Sequence, residues 1–144
     1  MEIVENFFES DLSFIPGFRK FFRKVRSDYK TCVATSMPKK LLDIVDRKLC
    51  LSDLFPGRIF SVSEVTSKGK PNPDLFLFAA RRLDSKPQDC IVIEDAPLGI
   101  SAAKRAGMKC IALTTTYSPD KLLQADLIVN SYANIDLTSF DKID

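Results

Sequence analysis

The 144-residue sequence contains no histidine, and that absence removes a large block of chemistry. Ser-His-Asp and Cys-His triads, histidine general bases and histidine-containing zinc sites are all excluded. No apolar run approaches the ~20 residues needed to span a bilayer; the longest are short stretches such as Cys90-Ile91-Val92-Ile93. The acidic N-terminus lacks the character of a signal peptide. The four cysteines, Cys32, Cys50, Cys90 and Cys110, are widely spaced with no CxxC pair. Cys32, Cys90 and Cys110 sit in apolar, strand-like runs, which implies buried free thiols in a reducing cytoplasm. A net charge of only +2 provides no strong field, so neither nucleic acid nor a membrane is expected as a partner. Chemistry must therefore run on carboxylates, lysines, hydroxyls and a hard metal ion.

What is present is an ordinary globular balance, 45% hydrophobic and 28% charged, enough for one domain with a real core. Residues 2–10 are weakly amphipathic and read as a helix. Pro16-Gly17 breaks the chain before a second helix over 18–28, with Phe18, Phe21, Phe22 and Val25 on one face. The basic residues Arg19, Lys20, Arg23, Lys24 and Arg26 then form its solvated face. Lys30–Thr35 reads as a buried strand. The helix opened by Pro38 is expected to turn Leu41, Leu42, Val45 and Leu49 inward. Ile59–Val65 is a second strand, followed by a Gly-Lys-Pro-Asn-Pro loop at 69–73 and a helix over 74–84 with Leu75, Phe78, Ala79 and Leu83 facing the core. Cys90–Ile93, Lys109–Thr114 and Asp126–Asn130 are further strands. A small-residue helix follows the first of these and stops at Gly107, and Ser118-Pro119 starts a brief helix before the last. Strands that are apolar throughout and alternate with helices predict an α/β fold, a three-layer, doubly wound parallel sheet. All strand C-terminal ends then share one edge, where ligands bind in such folds.

Three polar features fall at that edge. Thr35-Ser36 closes the strand KTCVATS, where a hydroxyl and helix-start amides suit a phosphate oxygen, although a plain helix N-cap is the commoner role of such a pair taken alone. Lys70 lies in SKGKPNPD, a loop stiffened by two prolines, where its ammonium is either held over an anion or simply at the surface. Glu94-Asp95 leaves the sheet directly after CIVI. Adjacent like charges there suit Mg²⁺ with its waters, or two helix-start acids facing the macrodipole. Together, a hydroxyl, a lysine and an acidic pair at successive strand ends match the needs of phosphoryl transfer, where catalysis is positioning and charge neutralisation.

ATS at 34–36, GKPNPD at 69–74 and IEDAPLGISAAKRAGM at 93–108 resemble the second, third and fourth motifs of haloacid-dehalogenase-like hydrolases. The spelling is nearest the beta-phosphoglucomutase-like and sugar-phosphate phosphatase subgroup. The resemblance runs from about Pro16 to Leu137. It implies a Mg²⁺-dependent phosphohydrolase of small phosphorylated metabolites. Thr35, with Ser36 assisting, would hold the transferring phosphoryl group, and Lys70 would neutralise it. Asp95 would bind Mg²⁺, with Glu94 as a second ligand or acting through water. Gly99, Ala102, Ala103 and Ala106 would let the following helix pack closely on the sheet.

The family's nucleophile and acid/base lie in a DxDx(T/V) motif closing the first, central strand, and no DxD occurs in this chain. Its α-helical cap is missing too, except for a remnant helix or linker within 1–15, which leaves 16–144 as a partial core domain. The expected sheet is therefore incomplete. Strands lie about 4.8 Å apart, so losing the middle one leaves a gap of about 10 Å lined by unpaired backbone groups. Direct pairing of its flanking strands, another segment of this chain, or a second polypeptide (a homodimer or strand complementation) must close it. Without a nucleophile the chain reads as a truncated, inactive phosphatase or phosphomutase. The alternatives are a decayed homologue kept as a non-catalytic binding module and, least in keeping with the order of residues, a phospho-acceptor receiver domain.

Overall fold

The computed structural model describes the backbone of residues 2–4 and the residues 13–65 and 69–140. Among these, six parallel strands form one sheet: β1 (Glu2–Val4), β2 (Thr31–Thr35), β3 (Ile59–Ser61), β4 (Ile91–Glu94), β5 (Lys109–Leu113) and β6 (Leu127–Val129), in the order β3-β2-β1-β4-β5-β6. The chain first builds outward from β1 to β3, then crosses back and builds the other way from β4 to β6. The C-terminal ends of β1 and β4 therefore flank the point where strand order reverses, the crevice that binds ligands in open α/β sheets.

The helices are α1 (Phe18–Val25), α2 (Lys39–Leu49), α3 (Leu51–Leu54), α4 (Asp74–Arg82) and α5 (Pro97–Arg105). Period-two alternation along the strands divides the core between the two faces of the sheet. Cys32, Ala34, Val92, Cys110 and Ala112 face α4 and α5, while Val33, Ile91, Ile93, Ile111 and Leu113 face α1 and the C-terminal segment. The result is the expected three-layer α/β arrangement. α5 stops at Gly107, whose φ of 78° suits a residue without a Cβ. There Met108 N–H bonds the Ala103 carbonyl at 3.0 Å, and Gly107 N–H bonds that of Lys104 at 3.1 Å, closing the helix with a left-handed cap.

The central position of the sheet is filled. Residues 2–10 read as a helix in the sequence, but Glu2–Val4 is a strand paired in parallel on both sides, Ile3 standing opposite Cys32 of β2 and Val92 of β4. Of the three ways to close the slot, the chain uses its own N-terminal segment. A short apolar run is ambiguous between helix and strand by periodicity alone, and two rows of unpaired groups on β2 and β4 decide in favour of a strand. The rest of the expected helix, residues 5–10, lies outside the described residues, and so does most of the 1–15 segment read as a cap remnant.

Smaller differences have local causes. Leu41 was expected inward but is 47% exposed, whereas Leu42, Val45 and Leu49 are buried; three positions complete the apolar stripe of this helix. On α4, Phe78 faces the core as expected, partly buried and edge-on to the buried Phe60 with ring centroids 5.6 Å apart, and Phe76 is buried as well. The strand expected over 59–65 ends at Ser61, because a capping box starts a 3-10 turn at Val62–Glu64. Ser118 does not cap the turn at Pro119–Lys121 through its side chain. Cys32, Cys90 and Cys110 are buried free thiols, as expected, and Cys50 is exposed. Among the described residues no helix is long and apolar enough to cross a membrane.

Candidate active site

Thr35 is the last residue of β2 and is fully buried. Its Oγ1 accepts a hydrogen bond from Met37 N–H at 3.1 Å. A hydroxyl that accepts one bond can still donate another. The helix N-cap position belongs to Pro38, without a side-chain cap, so Thr35 shapes the turn before α2 rather than capping the helix. Ser36 follows, exposed at the edge of the sheet.

Lys70 belongs to a tight loop. Asn72 N–H bonds the Gly69 carbonyl at 3.1 Å, and Asn72 Oδ1 accepts from Asp74 N–H at 3.0 Å at the start of α4. From this frame the Lys70 side chain turns inward and is only 10% exposed. Its Nζ lies 2.5 Å from Glu94 Oε1 and 4.9 Å from the centroid of the Phe76 ring. The lysine is therefore held by a charge-assisted bond and a cation–π contact, which settles its orientation in favour of a fixed group rather than a surface one.

Glu94 closes β4 with its side chain 2% exposed. Its second oxygen, Oε2, accepts from Asp95 N–H at 3.1 Å and Ala96 N–H at 3.2 Å, so both oxygens are satisfied within the protein. The carboxylate lies against the first turn of α5. A Cβ added at Gly99 would stand 2.1 Å from Glu94 Cδ, a distance that no packing tolerates. Gly99 thus does more than bring helix and sheet together: it vacates the volume occupied by the carboxylate. Ala102, Ala103 and Ala106 are buried beside the sheet as expected.

Asp95, one residue on, is half-buried, and its Oδ2 accepts from Thr116 Oγ1 at 2.6 Å. The two neighbouring carboxylates therefore have different surroundings, Glu94 turned into the protein and Asp95 at the edge of the sheet. Among the described residues no three His, Cys, Asp or Glu side chains converge as a preformed metal cluster. Asp95 is a hard oxygen donor of the kind Mg²⁺ takes, and that ion commonly uses one or two carboxylates with waters. The residues present are thus suited in kind to Mg²⁺ while supplying only part of a ligand set. Phe76 and Thr116 escaped the sequence reading. Phe76 looks like ordinary helix core, and the only signal for Thr116 is its place in the hydroxyl-rich run Thr114-Thr115-Thr116 beyond β5.

A family model for haloacid dehalogenase-like hydrolase matches residues 2–107. The chain belongs to this family. Among its relatives, the beta-phosphoglucomutase of Bacillus subtilis (strain 168) is 46% identical over 123 residues, covering 85% of this chain and 52% of that protein. Hexitol phosphatase A of Escherichia coli (strain K12) is 36% identical over 80 residues, covering 56% of this chain and 37% of the relative. Among solved structures, a haloacid dehalogenase family IA, variant 3 hydrolase from Entamoeba histolytica superposes with a TM-score of 0.82 at 28% identity, over 90% of this chain and 60% of that one. The haloacid-dehalogenase-like chain thus spans no more than 60% of these relatives' length.

Proposed function

We propose that this chain carries the phosphate-holding half of a Mg²⁺-dependent phosphohydrolase site for a small phosphorylated metabolite, and that by itself it binds without turnover. The observation that carries the reading is the Lys70 ammonium, clamped between Glu94 and Phe76 beside the end of β4, where strand order reverses. A cation fixed there suits an oxyanion, since its orientation is established before any ligand arrives.

In this reading Thr35 Oγ1 donates to a phosphate oxygen, Ser36 assists, and Lys70 neutralises the anion. Asp95 supplies the metal donor. Glu94 holds Lys70 in place, a role supported by the engagement of both its oxygens. Bound Mg²⁺ would add charge neutralisation at the phosphate. The family resemblance assigns the attack on phosphorus to an aspartate in a DxDx(T/V) motif, and no DxD occurs here; none of the residues named replaces it.

Titration of the pure chain with orthophosphate in the presence of Mg²⁺, followed by calorimetry, tests the reading. Binding is expected in the native chain and should be lost in Lys70→Ala and Thr35→Val. Hydrolysis of p-nitrophenyl phosphate by the same preparation is expected to stay at background. Equal heats from the native chain and the Lys70→Ala variant would refute the phosphate site, and Asp95-dependent hydrolysis would refute the absence of turnover.

A further inference from the structure

The turn that follows β2 is gripped from a neighbouring strand. Ser61 ends β3 directly opposite Thr35 in the parallel register and is fully buried. Its Oγ donates to the Met37 carbonyl at 2.6 Å and accepts from Ser63 N–H at 3.1 Å. Its own N–H donates to Glu64 Oε2 at 2.8 Å. Ser63 Oγ in turn accepts from Lys39 N–H at 3.3 Å, at the first residue of α2.

Part of this set is an ordinary capping box for the turn at Val62–Glu64. The bond from Ser61 Oγ to Met37 is not, because the cap uses the hydroxyl only as an acceptor. The donated bond reaches another segment, 24 residues away in the chain. Met37 is thereby fixed on both sides, its N–H by Thr35 Oγ1 and its carbonyl by Ser61 Oγ. The peptide units on either side of Met37 are immobilised, and with them the orientation of the preceding Ser36.

We propose that Ser61 is a positioning residue for phosphate, holding the Thr35–Met37 turn in its receiving geometry without touching the ligand. This rests on the reading of Thr35 and Ser36 as phosphate-binding residues. Ser61→Ala keeps the volume nearly unchanged but removes both bonds of the hydroxyl, leaving the Met37 carbonyl without its donor and Ser63 N–H without its cap. The net worth of such a hydrogen bond corresponds to a change of about three- to tenfold in an equilibrium.

Two measurements on the pure chain test it. Amide hydrogen exchange without ligand reads the turn: Met37 N–H should exchange about three- to tenfold faster in Ser61→Ala, relative to core amides of β4 in the same sample. Taking that ratio keeps the result meaningful even if the variant is globally less stable. Orthophosphate titration with Mg²⁺ reads function: affinity should fall by a similar factor in Ser61→Ala and recover in Ser61→Thr, which restores the hydroxyl. Unchanged relative exchange at Met37 would overturn the proposal. So would faster exchange with unaltered phosphate affinity, which would leave Ser61 a purely structural cap. If the native chain binds no phosphate, the site reading itself fails and the positioning role with it, whereas the exchange ratio still reports separately whether Ser61 holds the turn.

Discussion

The two faces of the sheet are built on opposite packing strategies. Against α4 and α5 the core is made largely of small side chains, among them Ala34, Ala79, Ala80, Ala102, Ala103 and Cys110. Against α1 and the C-terminal segment it is aromatic, with Phe18, Phe21, Phe22, Phe55 and Tyr132 in mutual contact at centroid separations of 4.8 to 6.4 Å. The helices of the small-residue face can approach the sheet closely, so that Gly99 lies against the carboxylate at the end of β4. The aromatic face fills a wider space with bulk. Polar machinery assembles at the margin of the small-residue face because short side chains leave room there for Lys70 and Glu94, while the rings opposite supply apolar burial. The difference teaches that one face is tuned for fit and the other for stability.

The comparison breaks most visibly by removing a ring. Phe22 is 4% exposed and packs on Phe18 and Phe55, so Phe22→Ala should cost about 4 kcal/mol in urea unfolding. The same experiment on Gly99→Ala, which adds a methyl group where the aromatic substitution removes a ring, should cost about 3 kcal/mol through overpacking. That variant should also lose orthophosphate binding, because the displaced carboxylate is the partner of Lys70. Loss of stability at Phe22 with phosphate binding retained in the folded fraction, against loss of both at Gly99, would sharpen the contrast.

Alkali provides a smaller, chemical probe of the same contrast. Cys90 and Cys110 both belong to the small-residue core. Burial, with a lesser push from the Asp89 charge, raises the Cys90 thiol from 9.0 to about 11. Burial, followed by the charges of Glu94 and Asp126, pushes the Cys110 thiol up further still. These acids are harder to ionise folded than unfolded, so the unfolded chain loses its protons first. Stability is intact below about pH 9 and falls as pH rises toward 11. Urea midpoints measured across that window should decline, and replacing both thiols by alanine should flatten the decline. The smallest effect is expected at Leu41, whose 47% exposure places it outside both faces. Leu41→Lys should shift the unfolding free energy by less than about 0.5 kcal/mol.

The polar residues of the site were readable one by one, since Thr35, Glu94 and Asp95 sit where an apolar run meets a polar loop at the end of a strand, and Lys70 stands in a loop framed by Gly69, Pro71 and Pro73. Their division of labour was not. In the sequence both Glu94 and Asp95 are read toward Mg²⁺, Asp95 directly and Glu94 as a second ligand or through water; in the fold alternation turns Glu94 into the protein, onto Lys70 and two amides, and leaves Asp95 at the edge with Thr116. In the sequence Ser61 is only an interior residue of the strand expected over 59–65, because its partner Met37 lies in a segment brought alongside by β2–β3 pairing. Leu41 was placed inward by a periodicity that does not say how wide the stripe is.

Local pattern alone determined the α/β class, the parallel sheet, the helix stop at Gly107 and the loss of any DxD motif, because propensity, apolar runs and turn chemistry act over a few residues. Tertiary structure decided which segment occupies the middle of the sheet. The β-branched Ile3 and Val4 favour a strand, but three residues do not form one alone; Glu2–Val4 is held as a strand because β2 and β4 each offer a row of backbone groups that must be paired. It also decided the space at Gly99 and the grip on Met37, since both depend on atoms distant in the chain that only close packing of helix and sheet brings within reach.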